Sequence, residues 1–450
     1  MDPPHPESAR RTKRQLPVMG GAPSKRLPLA TQARPIDRAT RPFYAVWEVT
    51  LRCDLACRHC SSRAGRPRQD ELRTPEALDL VAQLADLGVE EITLIGGEAY
   101  LRDDWLDLVA EIRKRAMRCT MVTGGRSFTG ERAKAARDAG VQSVSVSVDG
   151  MSAAHDALRG VRGSFEAAVG AIGNVRAAGI QATANTQVGH LNKRDVPDLF
   201  ERLLAAGVVA WQAQITVPMG RAADEPEILL QPYEMLDVIP MLARLKSRAD
   251  DAGVVFWPGN NVGYYGPHEE SLRDSRPDCH RGTCGAGRAA IGIESNGNIK
   301  GCPSLPSDDY VGGNIREASL RDIWERSPHL RFTRQRTVRD LWGHCRTCYY
   351  AEECLGGCSW TAHSLMGRPG NNPYCHHRAL ALLRKETRER IVRTKAPPGR
   401  SFDLAEFDLI EEAWPPSELD RARAVARGEE QWLLPPLCTE PARGVGSSSL

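Results

Sequence analysis

Between residues 43 and 220 the apolar positions alternate between two periods. Six short runs rich in β-branched and alternating residues read as strands: YAVWEVT, EITLIGG, RCTMVTG, SVSVSVDG, QATANTQVG and AWQAQITV. Five intervening stretches repeat apolar residues at i, i+3, i+4 and i+7: TPEALDLVAQLADLG, DDWLDLVAEIRKRA, GERAKAARDAG, GSFEAAVGAIGNVRAAG and DVPDLFERLLAAG. Those are amphipathic helices, and four of them end at Gly, which tolerates the left-handed backbone that stops a helix.

Strands and helices in strict alternation predict an α/β fold with a parallel sheet and helices outside it. Six such units fall short of the eight that close a full barrel, so the expected architecture is a partial (β/α)6 TIM-like barrel over 43–220. Its ligands belong at the C-terminal ends of the strands. Residues 221–278 read as a connector with one helix near PYEMLDVIPMLARLKSRADDAG. From 279 to 392 periodicity weakens and cysteines multiply. One hairpin stands out, AAIGIESNGNIKGC, with Asn296-Gly297 as its turn, and 376–392 reads as helix. The ends are expected to be loose. Residues 1–42 read as a disordered basic tail that aids solubility or binds an acidic peptide, and 393–450 as a mostly flexible tail with a short helix in SELDRARAVARGEEQW.

Composition adds exclusions. Of 450 residues 41% are hydrophobic and 26% charged, and the formal net charge is +3. A balance this even gives no general attraction to nucleic acid or membrane. No apolar run is long enough to span a bilayer, and the N-terminus has no apolar signal core. Thirteen cysteines in a chain with ample core need not be disulfide staples, and their tight spacing points to metal in a reducing cytoplasm. Cys119 and Cys438 read as small buried hydrophobes. The other eleven fall into two patterns.

The first is Cys53, Cys57 and Cys60, spaced C-x3-C-x2-C in the loop after the first strand. Thiolates are soft ligands for iron–sulfur clusters or zinc, both of which want four donors. Three thiolates leave one corner open, unless His59 completes a zinc site. The motif and its place resemble the radical S-adenosylmethionine (radical SAM) superfamily. That resemblance implies a [4Fe–4S] cluster whose open iron binds SAM and whose electron cleaves it to a 5′-deoxyadenosyl radical. His59 stands where that family usually has an aromatic ring. Gly96-Gly97-Glu98 ends the second strand at the family's binding site for the SAM ammonium, with Ala99 where many relatives have Pro. Ser145, Ser147 and Asp149 near the end of the fourth strand match positions that contact the SAM ribose and carboxylate; strand-end capping is the plain alternative. Arg159 resembles the arginine that pairs with the SAM carboxylate, and a solvated arginine is its alternative. Asn185 and the backbone of WQAQIT would line the ribose and adenine.

The second pattern is Cys279, Cys284, Cys302, Cys345, Cys348, Cys354, Cys358 and Cys375. With Gly297 five residues before Cys302, it resembles the SPASM extension of radical SAM enzymes that modify peptides and proteins. Eight thiolates suffice for two [4Fe–4S] clusters. The resemblance implies one cluster on Cys279, Cys284, Cys302 and Cys358, and another on Cys345, Cys348, Cys354 and Cys375, giving three clusters in all. Full thiolate ligation suits these two to electron transfer; structural zinc ribbons are the alternative.

By resemblance, the substrate is a ribosomally synthesised precursor peptide, oxidised to a crosslink, cleavage or desaturation. An electron donor such as flavodoxin or ferredoxin is implied. Sulfatase-maturing relatives place an Asp base after the cysteine of the G-x4-C element; here Pro303 follows Cys302, with Asp308 and Asp309 as substitutes further on. Residues 1–42 are too short for the peptide-recognition domain of many peptide maturases, so recognition falls to the barrel, the SPASM region, the tails or a separate recognition protein. Oxidation of a residue on a folded protein or of a small molecule is the runner-up, and a non-catalytic zinc scaffold the competing class. Residues 258–266, rich in Gly and Tyr, read as a connector or a substrate-facing loop; Tyr349, Tyr350, Trp360 and His363 read as packing among the later cysteines.

Overall fold

A computed structural model describes residues 10–12, 26–273 and 284–433. The strands in chain order are β1 (Arg10–Thr12), β2 (Tyr44–Glu48), β3 (Glu91–Ile95), β4 (Arg118–Thr123), β5 (Ser143–Ser147), β6 (Gln181–Val188), β7 (Ala210–Ile215), β8 (Val255–Pro258), β9 (Ala290–Ile293), β10 (Asn298–Lys300), β11 (Gly313–Asn314), β12 (Thr387–Lys395) and β13 (Glu406–Ala413). Ten of them form one sheet in the order β11-β10-β9-β2-β3-β4-β5-β6-β7-β8. The six expected strands are β2 to β7, each parallel to the next. The sheet is open, because β11 and β8 are its two ends.

The local causes are those of the pattern. The helix Thr74–Leu87 buries Ala77, Leu80, Val81, Leu84 and Leu87, and stops where Gly88 takes φ +94°. Burying each such leucine or valine contributes roughly 1.5–3 kcal/mol before conformational entropy is charged against it. Beneath β6 and β7, Trp211 is fully buried between Phe200 and Phe256, and its Nε1 donates to Thr186 Oγ1 at 2.9 Å.

Three sequence expectations change. The connector contributes β8, parallel to β7, and the cysteine-region hairpin joins the main sheet through β9, parallel to β2. A strand pairs with whatever edge lies beside it, and sequence does not name that edge. The stretch 376–392 is helical only over His376–Leu383; Glu386 then turns with φ +58° and β12 begins. A non-glycine residue in that conformation carries no sequence signal.

The ends are also more ordered than expected. β12 and β13 pair antiparallel, β1 adds to β13, and the helix Pro416–Arg427 follows. Near the N-terminus the helix Pro35–Ala39 buries Asp37, which is paired with Arg34, Arg331 and Arg334 at 2.6, 2.9 and 3.1 Å. Residues 26–42 are thereby docked on the cysteine-rich region rather than free.

Candidate active site

The loop from Leu51 to Gly65 leaves β2 and is closed by Cys53 N–H to Gly65 O (3.1 Å) and Gly65 N–H to Leu51 O (2.9 Å). Arg221 pins it from outside, donating to Cys57 O at 2.7 Å and Ala64 O at 3.0 Å. Cys53, Cys57 and Cys60 all line a cavity of about 240 Å3 with Gly96, Gly97 and Glu98. One oxygen each of Asp54 and Glu98 lies within 4.8 Å of Cys53 Sγ, so β3 delivers its carboxylate beside the first cysteine. Gly97 has to be glycine: a Cβ there would lie 2.2 Å from Arg52 O and 2.7 Å from Cys53 Cβ.

Burial raises the thiols of Cys53 and Cys57 above their ordinary range. Thiolates at this depth require compensating positive charge, which iron supplies. Glu98 accepts from Thr123 Oγ1 (2.5 Å) and Gly124 N–H (2.6 Å), yet burial pushes its carboxyl up to about 7. An ammonium beside it would restore the charged form. Several buried donors on the wall have no hydrogen-bond partner among the described residues: His59 Nδ1, Arg159 Nε and Trp360 Nε1. The donor set and these open polar atoms fit a cluster with a zwitterionic ligand.

Arg159 ends the helix Ser152–Arg159, its Nη1 3.6 Å from Cys57 Sγ and its Nη2 2.7 Å from Asp149 Oδ2. His59 Nε2 is 3.1 Å from the same Asp149 oxygen. The paired Arg159 and His59 hold the Asp149 carboxyl far below the usual range despite burial. Asp149 also accepts from Gln187 N–H at 2.8 Å, so it sits behind the wall and positions Arg159 and His59 rather than facing a ligand. Ser147 lines this cavity and, together with Asn185, a larger one adjoining it; Ser145 lines neither.

A second cavity, of about 590 Å3, shares Gly96, Ser147, Arg159, Gln187, Gln214 and Trp360 with the first and reaches Cys284, Cys302 and Cys358. Cys345, Cys348, Cys354 and Cys375 surround a separate small cavity of about 20 Å3. Cys284, Cys302 and Cys358 thus line one cavity and Cys345, Cys348, Cys354 and Cys375 another, while Cys279 lies outside the described residues.

Other functional candidates escaped the sequence reading. Glu48 lines the first cavity from the C-terminal end of β2. Its Oε1 takes Arg68 Nη2 at 3.0 Å and both the N–H and Oγ of Ser295 at 3.3 Å. Burial and the nearby Glu294 push its carboxyl up, Arg68 pulls it down, and it rests at about 7. A lone Glu ending an apolar parallel strand was the signal available. Pro303 lines the cavity, while Asp308 pairs with Arg400 and Asp309 with His363; neither Asp lines it.

An open parallel sheet with a three-cysteine loop at one strand end, a GGE turn beside it and a second cysteine-rich unit defines a radical SAM enzyme with a SPASM extension. The chain belongs to that superfamily: residues 47–203 match the radical SAM superfamily and 284–349 an iron–sulfur cluster-binding domain, SPASM. Membership brings a [4Fe–4S] cluster and SAM. Over 355 residues the chain is 32% identical to an AdoMet-dependent heme synthase of Nitratidesulfovibrio vulgaris, covering 74% of this chain and 91% of that one. It is 29% identical over 353 residues to the mycofactocin maturase MftC of Mycobacterium tuberculosis, covering 76% and 86%. Its fold matches that of anSMEcpe solved with AdoMet and the Cp18Cys peptide, with a TM-score of 0.61 at 16% identity over 75% of this chain and 95% of that one. No helix among the described residues is long and apolar enough to cross a membrane.

Proposed function

We propose that this enzyme oxidises a ribosomally made peptide. The observation that carries the reading is the wall of the larger cavity. Asn185, Gln187, Gln212, Gln214, Asn260 and Asn261 line it, and Arg159, already paired with Asp149, is its one cationic residue among those described. Carboxamides can donate to and accept from peptide groups, whereas a polyanionic small molecule would call for cations.

Cys53, Cys57 and Cys60 would hold the SAM cluster. Cys284, Cys302 and Cys358, with Cys279, would hold a second, and Cys345, Cys348, Cys354 and Cys375 a third. With SAM bound, the first cluster supplies the electron that generates the 5′-deoxyadenosyl radical. Glu98 and Arg159 orient SAM through its ammonium and carboxylate, and Asn185 and Ser147 face its ribose side. A desaturation or crosslink removes two hydrogens from the substrate. One would leave as an atom to the deoxyadenosyl carbon and the other as a proton, and a cluster held by Cys284, Cys302 and Cys358 would supply the acceptor for its electron. Glu48 accepts that proton, since Glu294 is held ionised by Lys300 at 2.9 Å and Glu98 is reserved for SAM. An external carrier such as flavodoxin or ferredoxin supplies the first electron.

The similarity to heme synthases favours a second reading, oxidation of a porphyrin by the same machinery. Anaerobically reconstituted protein with SAM and dithionite separates the two. Peptide maturation predicts a precursor peptide lighter by two hydrogens, with one 5′-deoxyadenosine per event and about twelve irons per chain. Turnover of a porphyrin but of no peptide would decide for the second reading.

A further inference from the structure

The loop 396–405, between β12 and β13, lies beyond the matched SPASM segment and yet reaches the active site. Phe402 at its tip lines the same cavity as Cys53, Cys57 and Cys60. It is 8% exposed and has φ +57°, a conformation that bulky residues adopt only when their surroundings enforce it.

Those surroundings are specific. Phe402 N–H donates to Ser61 O at 2.9 Å and Ser401 Oγ to Ser62 O at 2.8 Å, both in the cysteine loop. Asp403 Oδ1 takes Arg63 Nε at 2.9 Å, and Asp403 O takes Gly220 N–H at 2.9 Å. Gly220 (φ +60°) in turn packs so closely on the cysteine loop that a Cβ would lie 2.3 Å from Ser61 O. On the other side the Phe402 ring lies 3.9 Å from Lys300 Nζ, a fully buried ammonium paired with Glu294. The loop therefore joins the cysteine loop, the end of the barrel and the β10 hairpin at one point, and an apolar ring faces the cavity there.

We infer that Phe402 is an access-determining residue of the radical site. Latched by Asp403, it walls the cavity beside the three cysteines, so that reagents and substrate reach that site only through the remaining opening. A ring at this place excludes water from a reaction that water and solutes would otherwise intercept.

The test needs no substrate. Full-length protein is reconstituted anaerobically as wild type, Phe402→Ala, Phe402→Leu and Asp403→Asn. Iron release to bathophenanthroline disulfonate is followed, and the phase that SAM slows reports the cluster with the open corner. The Ala variant should accelerate that phase by at least about fivefold, because its wall is gone. Asp403→Asn should do the same by unlatching an intact ring, and Leu should stay near wild type. Unchanged rates in both Phe402→Ala and Asp403→Asn overturn the inference. So does an equal acceleration of every phase with a lowered melting temperature, which marks a merely structural loop. Failure to find a peptide substrate would count against the proposed function and leave this result untouched.

Discussion

Replacing Arg68 by Gln removes the guanidinium 3.0 Å from Glu48 Oε1 and leaves Glu294 in place. Burial is the largest influence on the Glu48 carboxyl and raises it; Arg68 opposes that, Glu294 adds to it, and the outcome is about 7 against an ordinary 4.5. That difference corresponds to roughly 3 kcal/mol against the ionised form. The sign for folding follows. Because the folded value is the higher one, Glu48's contribution to stability is complete below about pH 4.5 and is lost as the pH rises through about 7. A neighbouring guanidinium favours the ionised carboxylate, so Arg68→Gln should move Glu48 clearly upward from about 7. Infrared difference spectra across about pH 5 to 10 would follow the protonated-carboxyl band, assigned by its absence in Glu48→Gln. At neutral pH the Arg68→Gln protein should then carry a protonated Glu48 and lose oxidised product while still cleaving SAM. A midpoint that stays near 7 or falls would refute the electrostatic account of Glu48 and, with it, its role as proton acceptor.

Cys57→Ala should abolish 5′-deoxyadenosine formation, whereas Cys348→Ala should retain SAM cleavage and lose product; deoxyadenosine from the Cys57 variant would mean that the open-corner cluster lies elsewhere. Asp149→Ala strands the buried Arg159, paired at 2.7 Å, and should destabilise the protein by about 3–5 kcal/mol. Adding Arg159→Met should recover much of that, and thermal melts that show the double variant as the weaker would contradict the pairing. Gly97→Ala forces a Cβ to 2.2 Å from Arg52 O and should weaken SAM binding in equilibrium dialysis by at least tenfold, or about 1.4 kcal/mol, with iron content largely kept.

Much of this was legible because the signals are local. Strand and helix periods, the C-x3-C-x2-C loop, GGE and the eight-cysteine spacing each lie within one stretch of chain or in a fixed order along it. They carried β2 to β7, the family and the cysteine inventory. How the later cysteines divide into groups was expected only from the family resemblance; in the fold Cys345, Cys348, Cys354 and Cys375 line one cavity.

What tertiary structure alone decided is where distant segments meet. Asp149 reads as a ligand contact in sequence, but the approach of His59, Arg159 and Gln187 turns it inward. Glu48 reads as one polar residue in a strand, until β9 and Arg68 enclose it. The stretch from residue 393 onward reads as loose because it is rich in Pro, Gly and Ser. In the fold it turns back to pair β13 with β12, with Lys395 reaching Glu406 at 3.1 Å, and the loop between the two strands delivers Phe402 to the cavity. Propensity and spacing act over a few residues, whereas burial, charge pairing and cavity shape depend on neighbours hundreds of residues away, and those neighbours exist only once the chain has folded.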